Sequence, residues 1–248
     1  MTEKKPGPIV VFLRELVIIA VGAVIASTLL RLFLLQVFEI PSRSMETTLG
    51  VGDRVAVLKV IPPKRGDIVV FSDSLEWLGN PDRVTYTWWE SALVFAGLMP
   101  DSSKNHLIKR VIGTEGDRVV CCDAAGRVSV NGVELDETSY LYTSPDGDQV
   151  ESATYPFDVV VPAGRIFVLG DYRSNSADSR CHLTEEALGV PAMGAFPSVN
   201  SVVGVAGATV YPFDRWRTFP RPDAFDVIPD PTEPAPDEPV VSGDVGNC

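Results

Sequence analysis

The sequence predicts a mainly β body carried on one N-terminal transmembrane helix. Two observations lead there. Residues 9–37 are overwhelmingly apolar, interrupted by Arg14-Glu15 and Arg31. From residue 50 onward the apolar residues fall instead into short β-branched runs separated by Gly, Pro and Asp turns, the pattern of strands rather than helices.

The elements follow in order. Residues 1–8 are polar and carry Lys4 and Lys5. The uncharged centre of the next segment, 16–30, is short of the roughly 20 residues that cross a bilayer. Arg14 and Arg31 at its ends extend it to spanning length by turning their charged heads toward the interfaces. Val24-Ile25-Ala26 is a weak candidate for signal cleavage, but the apolar run continues through Leu32-Phe33-Leu34-Leu35, where a mature chain should turn polar. The segment therefore reads as an uncleaved anchor in a lipid bilayer. Lys4, Lys5 and Arg14 precede it, so the positive-inside rule leaves residues 1–8 in the cytoplasm. The body then faces outward from the cytoplasmic membrane.

Residues 54–60 alternate as a strand, and Pro62-Pro63-Lys64-Arg65-Gly66 turns the chain into a second at 67–71. Residues 73–105, with Trp77, Trp88 and Trp89, follow no regular pattern. A strand is predicted at 107–112, a hairpin from 118–122 to 128–132, and a second hairpin from 159–161 through Pro162-Ala163-Gly164 to 166–169. Residues 202–210 close the set before Trp216. The last stretch, 220–248, is rich in Pro; from Pro222 on it holds seven acidic residues and no Lys or Arg. Such a composition predicts a disordered acidic tail.

The formal net charge of −12 and pI near 4.6 exclude a nucleic-acid partner, whose phosphates need a basic surface. Two histidines, His106 and His182, show no paired ligand spacing, and no metal or other cofactor is expected. The four cysteines, at 121, 122, 181 and 248, form no C-x-x-C motif. Outside the cytoplasm a disulfide between Cys181 and the 121/122 pair is left open by the spacing.

Three stretches carry chemistry. The first, 38–49, leaves the anchor and holds Ser44, a candidate nucleophile, with Ser42 two residues ahead. A serine hydroxyl needs a nearby base to attack at neutral pH. Among the lysines, Lys59 and Lys64 read as solvated charges, whereas Lys109 shares a strand face with Leu107 and Val111. Apolar neighbours favour the neutral amine; the competing reading is the charged solvent face of an edge strand. The third stretch, 170–180, is a loop dense in short polar side chains. It fails as a calcium loop, because Arg173 and His182 fall where ligands are required. A triad built on either histidine lacks a G-x-S-x-G elbow.

Together these stretches resemble the type I (bacterial) signal peptidases, membrane-anchored Ser/Lys proteases that remove signal peptides from exported proteins. Ile40-Pro41-Ser42-Arg43-Ser44-Met45 with Thr48-Leu49 resembles the family's nucleophile box. Gly52-Asp53-Arg54-Val55 and Arg65-Gly66-Asp67-Ile68-Val69-Val70-Phe71 follow in family order. Lys109-Arg110-Val111-Ile112-Gly113 with Gly116-Asp117 resembles the lysine box, and Gly170-Asp171, Arg173, Asn175-Ser176 and Asp178-Ser179-Arg180 the last one. Thr47 and Glu115 stand where the family usually has proline, and Tyr172 where Asn is frequent. None of the three removes a hydroxyl, amine or acid that the chemistry uses.

The resemblance implies that Ser44 is the nucleophile and Lys109 its neutral base. The Ser44 N–H and the Ser42 hydroxyl would form the oxyanion hole, Ser176 would orient the amine, and Asp178 and Arg180 would brace that loop. It further implies a β catalytic core at 38–118 and 163–219, interrupted by an inserted hairpin domain at 119–162. The substrates would be signal-peptide-bearing preproteins with small residues, Ala-x-Ala, before the scissile bond. Two other readings stand beside it. Self-cleaving repressors share the Ser/Lys pair but carry a DNA-binding domain where this chain has an apolar segment. A non-catalytic, membrane-anchored extracytoplasmic β domain would use Ser44 and Lys109 only structurally.

Overall fold

The computed structural model describes residues 7–79, 85–91, 105–123, 126–153, 155–243 and 245, with 31 and 32 as backbone only. Part of the irregular stretch 73–105 lies outside the described residues. Helix α1, Pro8–Phe33, opens with proline in its first turn, where a missing N–H costs nothing. Its 26 residues extend about 39 Å at 1.5 Å each. It is long and apolar enough to cross a membrane, with a mean hydropathy of 2.6 and none of its apolar window buried by the protein.

Strand β1, Leu35–Glu39, begins almost at once. The end of the expected anchor, 9–37, is therefore already sheet. Hydropathy hides this change, because an apolar run reads alike at a helix end and in a strand. Then come β2 (Arg54–Leu58), β3 (Ile68–Ser72), β4 (His106–Thr114), β5 (Arg118–Cys121), β6 (Val128–Val130) and β7 (Val133–Glu134). The remainder are β8 (Phe157–Val160), β9 (Ile166–Leu169), β10 (Val202–Tyr211), β11 (Arg217–Thr218) and β12 (Val240–Ser242).

They make two antiparallel sheets. One runs β1-β2-β10-β3-β4-β9 with β11 on β10, the other β12-β8-β5-β6-β7. Side chains alternate across the first sheet. Ile68, Val70 and Ile108 join Ile40, Met45 and Leu49 in one cluster, while Val69, Phe71, Leu107 and Val111 form another. A third cluster, with Ile112, Phe157, Phe167 and Phe196, ties the second sheet to β4 and β9.

The 118–132 hairpin forms as β5–β6, but residues 159–169 do not make a second one. β8 pairs with β5 and β12, whereas β9 pairs with β4 in the other sheet. Pro162-Ala163-Gly164 thus passes the chain between sheets; local turn chemistry does not reveal which edge each flanking run will find. Cys121 is joined to Cys122, so the link to Cys181 that spacing left open is not made.

The largest departure is the acidic C-terminal stretch, which is docked rather than disordered over its described residues. Phe225 and Ile228 are 2% and 7% exposed and belong to the third cluster. Pro229 O accepts from Asn131 Nδ2 at 2.8 Å, and Pro236 O accepts from Ala163 N at 2.8 Å. β12 then adds an edge strand to β8. Average composition missed this because a few anchors suffice on a chain that its prolines already hold extended. Restricted φ angles leave less entropy to lose on docking.

Candidate active site

β1 leads out of the anchor into a tight turn that carries the predicted nucleophile. The Ile40 N–H and O bond to Asp53 O and Gly52 N, at 2.9 Å each, fastening the start of that turn to the approach of β2. Ser44 follows, 6% exposed, with its carbonyl held by the Tyr172 N–H at 3.0 Å. Met45 beneath it is fully buried, and its sulfur accepts from the Asp171 N–H at 3.4 Å. The nucleophile turn is thus laid directly on the polar loop after β9.

Lys109 enters from β4, which lies between β3 and β9, so it does not mark a solvent edge. It is 3% exposed, on the face of Leu107 and Val111 as the alternation predicts. Its Nζ stands 2.6 Å from Ser44 Oγ. Ser42 Oγ is 3.4 Å from the same oxygen. Burial drives the Lys109 ammonium from 10.5 down to about 8, against the pull of Asp178 and Asp171 and with help from Arg180.

Asp178 does not pair with the amine. Its two oxygens take Arg180 Nε and Nη2, each at 2.8 Å, and Oδ2 also accepts from the Gly170 N–H at 3.0 Å. Burial works to raise this carboxyl, but Arg180, these bonds and Lys109 outweigh it and hold the pKa below the ordinary value. Arg180 also donates to Arg173 O at 2.8 Å, so the pair braces the whole loop. Ser176 Oγ is buried with no hydrogen-bond partner. It lies close to the nucleophile turn: a Cβ built on Gly170 would meet Ser176 Oγ at 2.3 Å and Ser44 O at 2.6 Å. Only glycine fits between them.

The histidines are engaged elsewhere. His182 Nδ1 is 2.7 Å from Glu185, and its ring stacks on Trp77 at 4.4 Å. His106 packs on Phe38 with ring centroids 5.0 Å apart. Ser44 Oγ meets Lys109 and Ser42 instead.

Sequence reasoning assigned no role to Arg110, Asp171 and Thr48, which form a buried chain beside the pair. Arg110 binds Asp171 through two bonds at 2.8 and 2.7 Å, and Asp171 accepts from Thr48 Oγ1 at 2.5 Å. Arg110 faces away from Lys109 by strand alternation. The only signal available was a buried-charge argument: an arginine inside a strand needs a carboxylate, and Asp171 directly follows β9.

The comparisons agree with this arrangement. The family described as "Signal peptidase, peptidase S26" matches residues 13–211. The protein named signal peptidase I from Mycobacterium tuberculosis is 36% identical over 224 residues, covering 82% of this chain and 74% of that one. Signal peptidase I of Leptolyngbya laminosa is 35% identical over 202 residues, covering 79% and 78%. A signal peptidase I structure from Enterococcus faecalis V583 aligns over 59% of this chain and 97% of its own, with 24% identity and a TM-score of 0.35. From the match over most of its length, this chain belongs to the signal peptidase S26 family.

Proposed function

We propose that this chain is a membrane-bound serine endopeptidase that removes N-terminal signal peptides from exported preproteins through a Ser44/Lys109 dyad. The observation that carries the reading is the 2.6 Å approach of Ser44 Oγ to a buried amine whose pKa has fallen to about 8. Lys109 in its neutral form takes the Ser44 proton as Oγ attacks the scissile carbonyl carbon. The oxyanion that forms is held by the Ser42 hydroxyl and the Ser44 N–H, which has no acceptor among the described residues. The Lys109 ammonium then protonates the leaving amine, and water, deprotonated by Lys109, hydrolyses the acyl-enzyme. Ser176 is the orienting hydroxyl; its burial without another partner, beside Gly170 and Ser44, supports that role.

Two further features fit such a substrate. β1 is a sheet edge, and β9 covers β4 only from Arg110 onward, leaving the His106–Lys109 stretch without a strand on that side. Phe38 and His106 bring these two edges together. An extended peptide laid there would pair its backbone with both. The five residues of β1 also span only roughly 17 Å, which keeps Ser44 near the end of α1 and thus near a membrane surface.

The test is cleavage of a preprotein by the purified full chain. Ser44→Ala should remove it entirely; unchanged cleavage would leave the reading of a non-catalytic, membrane-anchored β domain. The same reading puts the body outside the cytoplasmic membrane. Protease added to intact spheroplasts should therefore digest residues 50–215, and their full protection would reverse the orientation.

A further inference from the structure

Thr47 lies three residues beyond Ser44 and has φ +51. A β-branched side chain rarely enters this left-handed region, and nothing in threonine itself favours it. The conformation is held from outside the turn. The Arg217 guanidinium donates to Thr47 O, and the Thr143 N–H donates to Thr47 Oγ1 at 3.3 Å. Arg217 belongs to β11, which the pairs Thr209↔Arg217 and Ala208↔Thr218 fix to β10. Its side chain borders a cleft of about 690 Å3 that Thr47, Thr48 and Arg110 also line.

The residues on either side of Thr47 are those that fix the nucleophile turn. Thr48 bonds Asp171, the Leu49 N–H donates to Met45 O at 2.7 Å, and Ser44 O takes the Tyr172 N–H. A flip of residue 47 to negative φ would rotate the following peptide. That rotation would pull Thr48 from Asp171 and leave Met45, next to the nucleophile, without a fixed neighbour. Sites that hold a non-glycine residue in this region need surroundings that over-determine it.

We infer that Arg217 is a positioning residue of the reaction: its grip on Thr47 O locks the left-handed turn that aims Ser44 at Lys109. The inference rests on the dyad reading above. Arg217 touches neither reacting group. Its effect passes through the backbone of residue 47, so what matters is a long side chain with a donor at its tip, on a strand fixed to the sheet.

The experiment compares full-length variants in detergent on one preprotein. Arg217→Met keeps most of the length and loses the donor; kcat should fall about tenfold to a hundredfold, the usual result of a small misplacement, with KM little changed. The pH inflection should stay where it is, because the burial of Lys109 is untouched, and melting should hardly move, because Arg217 is exposed. Arg217→Lys should retain part of the rate. The decisive arm adds Thr47→Asn to Arg217→Met: asparagine enters the left-handed region readily, so kcat should recover. A loss due only to surface charge would not be rescued at residue 47. If Ser44→Ala is dead while Arg217→Met turns over at the wild-type rate, or loses rate that Thr47→Asn does not restore, the positioning role is wrong and the dyad stands. If Ser44→Ala remains active, the dyad itself falls.

Discussion

Lys109→Arg should abolish turnover of a preprotein while the positive charge at residue 109 is kept. Arginine is never neutral in a protein, so it has no lone pair to take the Ser44 proton. A free lysine is neutral in only about one molecule in a few thousand at pH 7. With its pKa at about 8, Lys109 is neutral in roughly one in ten. Activity should therefore rise with pH through an inflection near 8 and level off above it. An inflection near 10, or wild-type turnover by Lys109→Arg, would assign the base to another residue.

The same burial makes a stability prediction of opposite sign. The unfolded chain keeps this proton up to about 10.5, the folded chain only to about 8. Between those values unfolding takes up a proton, so this group's contribution to stability rises with pH from 8 to 10.5 and is lowest below 8. Lys109→Met should therefore be inactive yet more stable at pH 7, by an amount on the order of 3 kcal/mol less whatever the Ser44 contact supplies. Denaturant melts at pH 7 and pH 9.5 would read the difference, which should shrink at the higher pH. A Met variant no more stable than wild type at pH 7 would mean that burial does not strain the ammonium.

The difference between Lys109 and Arg110 shows how far the sequence could be read. Alternation alone put Lys109 with Leu107 and Val111, and they share a cluster. Alternation could not say whether that face meets water or another strand, since this depends on β9, more than 50 residues later. Arg110 was invisible for the same reason: its partner Asp171 is 61 residues away. The positive φ of Thr47 carries no residue signal at all, because threonine is not a left-handed residue and the cause sits at Arg217 and Thr143. Local patterning thus located strands and faces, while contacts imposed from a distance had to be seen.

Removing residues 222–248 should destabilise the body strongly, although the composition of that stretch suggests a dispensable tail. Phe225 fills a space bounded by Tyr140, whose ring lies 6.2 Å away, and by Gly66, where even a Cβ would come within 2.7 Å of it. Emptying a buried phenylalanine site costs about 3–5 kcal/mol, a large share of the roughly 5–15 kcal/mol that holds a domain folded. Truncation also strips Asn131 of Pro229 O and Ala163 N of Pro236 O. β8 loses β12 and becomes an open edge, which invites aggregation. Activity should fall as well. The Tyr140 ring that Phe225 supports lies under the Arg110 guanidinium at 4.2 Å, and Arg110 holds the Asp171 that anchors Thr48. Phe225→Ala alone should lower the melting temperature by roughly 10 °C, since each kcal/mol shifts a chain of this size by about 2–4 °C. A truncated chain that melts and cleaves like the full one would show that the strap merely rests on a body already complete without it.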